Sequence, residues 1–475
     1  MLGAQLAELL DGAPPGVGEA LDLVTGFDEG LAHGFARLGD ERATALAAMA
    51  GAVAATPLGE RVGEAVGKIA AGSVADAHLT ALAGARAALL GAVHDALLGR
   101  LDAALGRTRA WWGGPPSQAP ATTAPATDNL RGGCRSWLHE LAITGWRGVD
   151  HDLVSASGQT LQALLAEPGL RRLAVLVDGL AAELRASCPV RTMERLPVRR
   201  WADLWARALL LSQPGGWPGS PEPAGPVSGR LLILGVDVHE HGTAVQVQVH
   251  GVLEPAGGAT PRLVRTSVAA AKVDTIVGPA LWRLLRGCPV LLAALAERRS
   301  LDVTDLPLLD SGDLLWHDDR ARAGKPADPF ATARVQLAGA LAPAVPPLDR
   351  HPVRIAEPVL VEGYSAAVRD RRAAVTLDLG GNALAVDVDR LPTCGPLTPE
   401  LVAASSACLG LVRWDGGGWM LQPLAVQARV KRRTIATHNG DWALGPTDPK
   451  VVKAEAKAGD AVAVLRERAG RLLRR

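Results

Sequence analysis

The segment LLILGVDVHEHGTAVQVQVHGVL, residues 231–253, decides the fold of the C-terminal half. From Val236 onward, apolar and polar residues alternate on both sides of His241-Gly242. Alternation with a period of two is typical of strands with one buried face, and a short polar pair with glycine is typical of a turn. The segment therefore predicts a β-hairpin, and Arg262–Ala270 predicts a third strand beside it.

Further strands are predicted after residue 350. AVTLDLGGNALAVDVD (374–389) and LGLVRWDGGGWMLQPLAVQARV (409–430) each combine alternation with a glycine-containing turn. Trp414 and Trp419 flank the second turn. Together with Val353–Val361, these segments make at least five strands, and we expect a small β-barrel or a sandwich.

The first half of the chain is predicted to be helical. Leucine and valine recur at helical spacing, at Leu82, Leu89, Val93, Leu97, Leu101 and Leu105. Glycines interrupt this pattern, so we expect several helices and not one rod, and the small residues permit close helix packing. Later helices are predicted at Ser136–Ile143, Gln159–Leu165, Leu170–Ala186, Val198–Leu211, Val273–Arg286 and Val290–Arg299.

The fold class predicted from these patterns is α+β and multidomain, with a helical N-terminal half, β-rich C-terminal units and a C-terminal helix. Two Pro-rich segments suggest boundaries, and we expect the first to be a flexible linker between two modules. The predicted units are a helical module (1–110), a Pro/Ala/Thr linker (111–130), a second helical region (131–212), a Pro/Gly break (213–228), a β-meander with helices (229–349), a β-rich unit (350–446) and a basic amphipathic helical tail (447–475).

The composition of the chain argues against several broad classes of protein. The net charge is +1, so the chain as a whole is not drawn to nucleic acid or to anionic membranes. The five cysteines are scattered and form no CxxC pair, which favours reduced thiols over a disulfide framework. The N-terminus lacks the basic start of a signal peptide, and no membrane span is expected. These features predict a soluble cytoplasmic protein.

Asp237, His239 and His241 are the only metal-site candidates that the sequence offers. Alternate residues of a strand share a face, so these side chains can point the same way as Gln246, Gln248 and His250. Imidazoles and a carboxylate at this spacing suit zinc. In the simpler interpretation, the valines of the hairpin form its buried face and the polar side chains form the opposite, solvated face. We favour this interpretation and therefore expect no bound metal.

Other motifs also have simple explanations. GEAVGKIA (63–70) carries Gly67-Lys68 but lacks the spacing and the hydroxyl of a phosphate loop, and it lies in a helical pattern. The carboxylate pairs Asp318/Asp319 and Asp387/Asp389 are expected on the solvated surface. The sequence therefore predicts no catalytic residue and no cofactor.

Two segments combine basic residues with features that suit nucleic acid. Arginines accompany Trp201 and Trp205 near residues 191–211, but the tryptophans fall on one helical stripe, which favours core packing. RVKRR (429–433) and the basic tail could contact phosphates, although the apolar residues of the tail also predict an ordinary amphipathic helix.

The segments ERLPVRRWADLWARALLLSQPG (194–215) and RGCPVLLAALAER (286–298) resemble actinobacterial proteins that accompany MoxR-type ATPases, von Willebrand A-domain proteins and SWIM zinc-finger proteins in gene clusters. The chain lacks the ATPase phosphate loop, a DxSxS motif and the CxC…CxH pattern of the SWIM finger. The resemblance therefore implies an accessory member of such a system.

The function predicted from the sequence is that of a non-catalytic accessory or scaffold protein. Its expected partners are proteins of an ATPase-based assembly of the AAA type. Nucleic-acid binding through the C-terminal β-rich unit and the basic tail is the alternative, and a metal-dependent hydrolase is a third hypothesis.

Overall fold

The computed structural model describes residues 12–112, 125–214, 223–369, 374–430 and 433–458, with 6, 9, 10, 462–464 and 467. Helices fill the N-terminal half and two sheets the C-terminal half, so the predicted α+β class is confirmed. The helices of the first half are α1 (Val17–His33), α2 (Asp40–Val53), α3 (Gly59–Ala70), α4 (Asp76–Leu105), α5 (Pro125–Thr144), α6 (His151–Ser155), α7 (Gly158–Ala166), α8 (Arg171–Ser187) and α9 (Val198–Leu211).

One hydrophobic core joins the two predicted helical regions. Phe27 and Leu82 from the first region pack in the same buried cluster as Leu138, Trp201 and Trp205 from the second. The prediction that residues 111–130 separate two modules is therefore wrong, because helices on both sides of this segment share one core. Residues 113–124 of the predicted linker lie outside the described part of the chain, and residues 125–129 belong to α5.

The tryptophan stripe of α9 is a core face, as predicted. Trp201 and Trp205 are buried, and Trp205 Nε1 donates to the carbonyl oxygen of Leu138 at 2.8 Å. Arg207 pairs with Asp203 one turn away, at 3.3 Å. The nucleic-acid interpretation of this segment is thereby contradicted.

Helix α4 is 30 residues long and connects the two halves of the molecule. Its first turns pack in the helical core, whereas Val93, Leu97 and Leu101 pack against the second sheet. Within the described residues it is the one helix long and apolar enough to cross a membrane, and 56% of its most apolar segment is buried inside the protein.

The first sheet contains five strands in the order β3-β2-β1-β4-β5, each antiparallel to its neighbours. They are β1 (Pro223–Glu240), β2 (Ala244–Pro255), β3 (Arg262–Ala271), β4 (Arg299–Leu309) and β5 (Ala321–Pro326). The hairpin at His241-Gly242 and the third strand are confirmed, while β4 and β5 were not predicted. Residue 299, which was assigned to a helix, begins β4.

Two short helices cover one face of this sheet, α10 (Leu281–Leu284) and α11 (Pro289–Glu297). The predicted helix at Val273–Arg286 is too long, since only a 3₁₀ turn at Gly278–Ala280 and α10 form there. The predicted helix at Val290–Arg299 corresponds to α11. The valine face of the hairpin packs in one buried cluster with Leu291 and Leu295 of α11. The valines of this face are Val236, Val245, Val247 and Val249.

The second sheet follows the order β6-β10-β11-β9-β8-β7, and β12 also pairs with β11. Its strands are β6 (Ala356–Glu362), β7 (Ser365–Arg369), β8 (Ala374–Asp378), β9 (Ala383–Val386), β10 (Ser405–Asp415), β11 (Gly418–Val430) and β12 (Arg433–His438). The predicted hairpin of Trp414 and Trp419 is confirmed, with the rings edge to face at 5.0 Å.

The two sheets stack face to face, so a sandwich forms between residues 223–326 and residues 356–438, whereas it was expected within the β-rich unit (350–446) by itself. Leu232 and Leu234 of the first sheet share a buried cluster with Leu360, Leu409 and Ala425 of the second. Helix α12 (Pro329–Gln336) contributes Phe330 to the same cluster. The strand order of the second sheet is an open path, so the barrel alternative is wrong.

A short helix, α13 (Pro399–Ala403), precedes β10, and α14 (Pro449–Ala458) begins the tail. Val451 and Val462 pack against the core of the first sheet, as the amphipathic-helix interpretation predicts. Lys431, Arg432 and most of residues 459–475 lie outside the described part of the chain.

Candidate functional site: a polar layer between the sheets

The polar face of the hairpin is directed at the second sheet. In the β1–β2 register, Asp237 lies opposite Gln248 and His239 lies opposite Gln246. The predicted shared face is therefore confirmed. The expectation that it is solvated is wrong at its centre, where Asp237 is 2% exposed and His250 is 4% exposed. His241 is exposed in the turn after β1 and takes no part in this layer.

A β-bulge between Ile233 and Gly235 brings this polar set to the intersheet side. Before the bulge Leu232 and Leu234 face the second sheet, and after it Asp237 and His239 do so. A Cβ on Gly235 would lie 2.7 Å from Leu424 Cβ, so only glycine allows the sheets to approach this closely.

Asp237 is held by three donors. Its Oδ2 lies 2.9 Å from His239 Nε2 and accepts from Arg413 Nη2 at 2.9 Å, while Oδ1 accepts from Gln422 Nε2 at 2.6 Å. Burial raises the pKa of this carboxyl, but the contacts with His239, Arg413 and Gln422 outweigh it and hold the pKa well below its usual range. Asp237 is therefore a buried carboxylate that joins the two sheets.

The layer continues to β3 through His250 and Arg265, which are cross-strand neighbours. His250 Nε2 is buried and has no hydrogen-bond partner in the part of the chain that the structure describes. Burial lowers the pKa of His250 to about 4, so its ring is neutral at pH 7. Arg265 binds Asp313 in a fork, with Nε at 2.5 Å from Oδ1 and Nη2 at 3.0 Å from Oδ2.

An imidazole oriented by a buried carboxylate is one element of acid–base catalysis. His239, whose side chain is 34% exposed, meets this condition through Asp237. A nucleophilic hydroxyl or thiol bonded to its other nitrogen would complete such a site, and no described residue supplies one. The contacts of Asp237 with Arg413 and Gln422 connect the two sheets.

Asp237, His239 and His241 are not brought together as metal ligands. Asp237 is occupied by Arg413 and Gln422, and His241 lies away in the turn. Across the described residues there is no group of three His, Cys, Asp or Glu side chains that could hold a metal ion. That the protein binds no metal stays a prediction, which elemental analysis of the untagged protein checks.

Of the other sequence candidates, Asp318 and Asp387 have structural roles. Asp318 is half-buried, and its carboxylate accepts from the backbone N–H groups of Val290 and Leu291 at 3.0 and 3.2 Å, where α11 begins. The expectation that Asp318 is solvated surface is thus wrong, because it caps a helix. Asp387 pairs with Arg390 at 2.8 Å, while Asp319 and Asp389 are exposed.

Residues 63–70 lie within α3, so the glycines there form no phosphate loop. The cysteines are free thiols, and burial raises the pKa of Cys134, Cys394 and Cys408 to about 12. Such thiols are poor nucleophiles and poor metal ligands at neutral pH.

The sequence did not predict a groove of about 1040 Å³ along α4. Its floor is formed by small residues at helical spacing, including Ala77, Ala81, Gly84 and Ala88. Arg61 and Glu64 of α3 form one wall, and the end of α9 with residues 347–350 forms the other. The spacing of alanine and glycine along α4 is the available signal in the sequence, and it is equally typical of close helix packing within the protein.

Comparison of the chain with protein-family models, with curated proteins and with solved structures found no match.

Proposed function

We propose that the protein is a non-catalytic accessory or scaffold protein of the cytoplasm that binds a helix of a protein partner in the α4 groove. The observation that carries this proposal is the groove itself. Its volume of about 1040 Å³ exceeds the 670 Å³ of the hollow beside Arg298 and Gln427, and its lining is mostly apolar. A helix that lies in an apolar groove is a common mode of protein recognition.

The shape of the floor supports a helical occupant. From Ala77 to Ala92 the floor spans about 22 Å, the length of a helix of roughly fifteen residues. Since alanine and glycine form this surface, a second helix can approach the backbone of α4 closely and make many van der Waals contacts.

The rim of the groove supports a partner with an aliphatic stripe flanked by both charges. Three cations, Arg61, Arg135 and Arg350, are balanced by three anions, Glu64, Asp76 and Asp95. Arg350 and Asp95 already pair at 3.1 Å. Because positive and negative charges are equal in number at the rim, the groove attracts neither a strongly acidic nor a strongly basic helix. Following the resemblance stated above, the partner we propose belongs to an ATPase-based assembly.

Gly84→Trp is expected to weaken partner binding at least about tenfold, because the indole fills the groove. A Cβ on Gly84 meets no atom within 4 Å, so the larger side chain enters the groove without disturbing the backbone. The test has two steps. A partner captured from the native host is identified by mass spectrometry, and its affinity for the purified full-length variants is then measured by calorimetry.

Gly99→Trp is the matched control. Gly99 lies on the same helix, also has no atom within 4 Å of a Cβ position, and lies outside the groove. We expect at least a tenfold loss of affinity for Gly84→Trp and none for Gly99→Trp, a difference of about 1.4 kcal/mol or more. Equal affinities of the two variants would show that the partner binds elsewhere.

Gly84→Ala is expected to stabilise the protein by about 0.5–1 kcal/mol. Alanine has the higher helix propensity, and the added methyl group meets no neighbour. Urea denaturation measures the change in the free energy of unfolding. A destabilised variant would mean that the backbone at this position is not an unstrained helix.

A further inference from the structure

Strand β12 (Arg433–His438) forms an edge of the second sheet, since β11 is the one described strand with which it pairs. Two contacts identify its free side. Arg298 Nη2 donates to the carbonyl oxygen of Ala436 at 2.9 Å, and the backbone N–H of His438 donates to Asp441 Oδ2 at 3.0 Å. The N–H and C=O groups of a residue in an antiparallel strand point to the same side, so the even-numbered residues of β12 direct theirs away from β11.

Backbone groups on this free side lack partners at the centre of the strand. The N–H and C=O of Thr434 and the N–H of Ala436 have no hydrogen-bond partner among the described residues. Thr434 is exposed, and a hollow of about 670 Å³ opens beside Thr434 and Ala436. An accessible row of unpaired backbone groups is a template for one more strand.

The centre of β12 also lacks the features that usually protect an edge, which are charges, prolines and bulges. Thr434, Ile435 and Ala436 carry no charge, and the register with β11 runs unbroken along the strand. Ala436 and His438 contact the intersheet cluster of Phe330, so alternation places Ile435 on the opposite, outer face of the sheet. There the Ile435 side chain is 47% exposed.

We propose that β12 pairs with β12 of a second copy of this chain, antiparallel and about a two-fold axis, so that the second sheets of the two copies become continuous. The register that matches the free groups sets Thr434 of one copy opposite Ala436 of the other, and each such pair exchanges two hydrogen bonds. The carbonyl oxygen of Ala436 has a second lone pair for this bond, besides the one that Arg298 uses.

The same register brings the two exposed isoleucines together. Ile435 of each copy lies opposite Ile435 of the other in a non-hydrogen-bonded pair, with the Cα atoms about 4.5 Å apart. Both side chains are on the outer face of the joined sheet and cover each other. Self-pairing therefore accounts for an exposed, β-branched apolar side chain at the centre of an edge strand.

Charge selects the antiparallel orientation. The turn RVKRR (429–433) precedes β12, and its Arg433 is exposed and forms no ion pair with a described residue. Antiparallel pairing places the basic turns of the two copies at opposite ends of the interface, each directed towards the hollow of the other copy. That hollow carries two carboxylates, Glu297 and Asp328, and one cation, Arg298. Parallel pairing would place the two basic turns side by side, where they repel.

Sedimentation velocity of the full chain tests the proposal, and the wild type should form a dimer that dissociates on dilution. Ala436→Pro should raise the dissociation constant at least about tenfold, because proline removes an N–H directed at the second copy and leaves the hydrogen bonds to β11 intact. Ile435→Lys should weaken the dimer to a similar extent, since two lysines would meet at the two-fold axis. Melting temperatures at a concentration where the wild type is monomeric show whether each variant is folded.

Val175→Lys is the matched control. Val175 is a β-branched residue of α8 that is 65% exposed, and its variant should dimerise like the wild type. Because β12 contributes no residue to the lining of the α4 groove, failure of this test would leave the proposed function untouched.

Hydrogen exchange of the wild type gives a second measurement that needs no variant. Raising the protein concentration should slow exchange of the Thr434 and Ala436 amides and leave that of Ile435 unchanged, since the Ile435 N–H already points to β11. A wild type that stays monomeric, undiminished dimerisation of either folded β12 variant, or exchange in β12 that is independent of concentration would each overturn the proposal.

Discussion

The free energy of unfolding should fall steeply as the pH is lowered from about 6.5 to about 4. His250, His351 and His438 are each buried, and burial lowers the pKa of each from 6.5 to about 4. A histidine with a depressed native pKa stabilises the fold above its unfolded pKa, and this stability is lost as the pH falls towards the native value. Each ring contributes roughly 3 kcal/mol to the loss.

The charges around these rings do not reverse the effect. Asp237 and Glu357 favour a proton on His250, while Arg265 and Arg413 oppose it. Asp203 favours a proton on His351 against three arginines. Arg298 opposes a proton on His438, which Asp441 and Asp328 favour. Burial exceeds these influences in all three cases. The carboxyl pKa of Asp237 lies well below its usual range, so its own titration falls at a lower pH.

His250→Met tests this prediction at the centre of the polar layer. Methionine fills a similar volume without a titrating group, so the slope of stability against pH between 6.5 and 4 should decrease by up to about 1.4 kcal/mol per pH unit. His241→Gln is the control, because His241 is exposed in the turn. Urea denaturation across this pH range measures both slopes, and an unchanged slope in His250→Met would contradict the prediction.

Strand β4, which the sequence failed to predict, is irregular. In β4 the apolar residues Leu301, Val303, Leu306 and Leu308 change phase at Asp305, whose φ of 51° lies in the left-handed region. The register with β1 shifts at the same place. An extra residue of this kind breaks the period of two on which strand prediction depends. Regular segments such as Val198–Leu211 were predicted with their observed bounds.

The polar layer shows what alternation can and cannot reveal. The sequence places Asp237, His239 and His250 on one face, and the structure confirms it. What covers that face was not predictable, because Arg413 and Gln422 are 176 and 185 residues away in the chain. A polar strand face is usually solvated. Here the second sheet supplies partners, and the face becomes interior.

The final prediction concerns the buried ion pair of the helical core. Asp28 and Arg86 are 0% and 1% exposed, and Arg86 Nε lies 2.7 Å from Asp28 Oδ1. Arg199 adds a second contact, with Nε at 2.8 Å from Asp28 Oδ2. Burial raises the pKa of Asp28 although both arginines oppose it, which shows how strongly this site disfavours a charge.

Arg86→Met is expected to lower the free energy of unfolding by about 3–5 kcal/mol, because it leaves Asp28 buried with only the partly exposed Arg199 as a partner. The control is Arg334→Met. Its ion pair with Glu362 has the same length, 2.7 Å, but both side chains are 42% exposed, and the expected loss is below about 1 kcal/mol.

The double variant Asp28→Leu/Arg86→Met separates two explanations of that loss. If the penalty in Arg86→Met arises from the unpaired buried carboxylate, removing the carboxylate should restore most of the stability, even though no ion pair is left. If the ion pair itself supplied the stability, the double variant would be as unstable as the single one. Urea denaturation at pH 7 distinguishes these outcomes, since the ion pair is buried and the buried histidines are neutral at that pH.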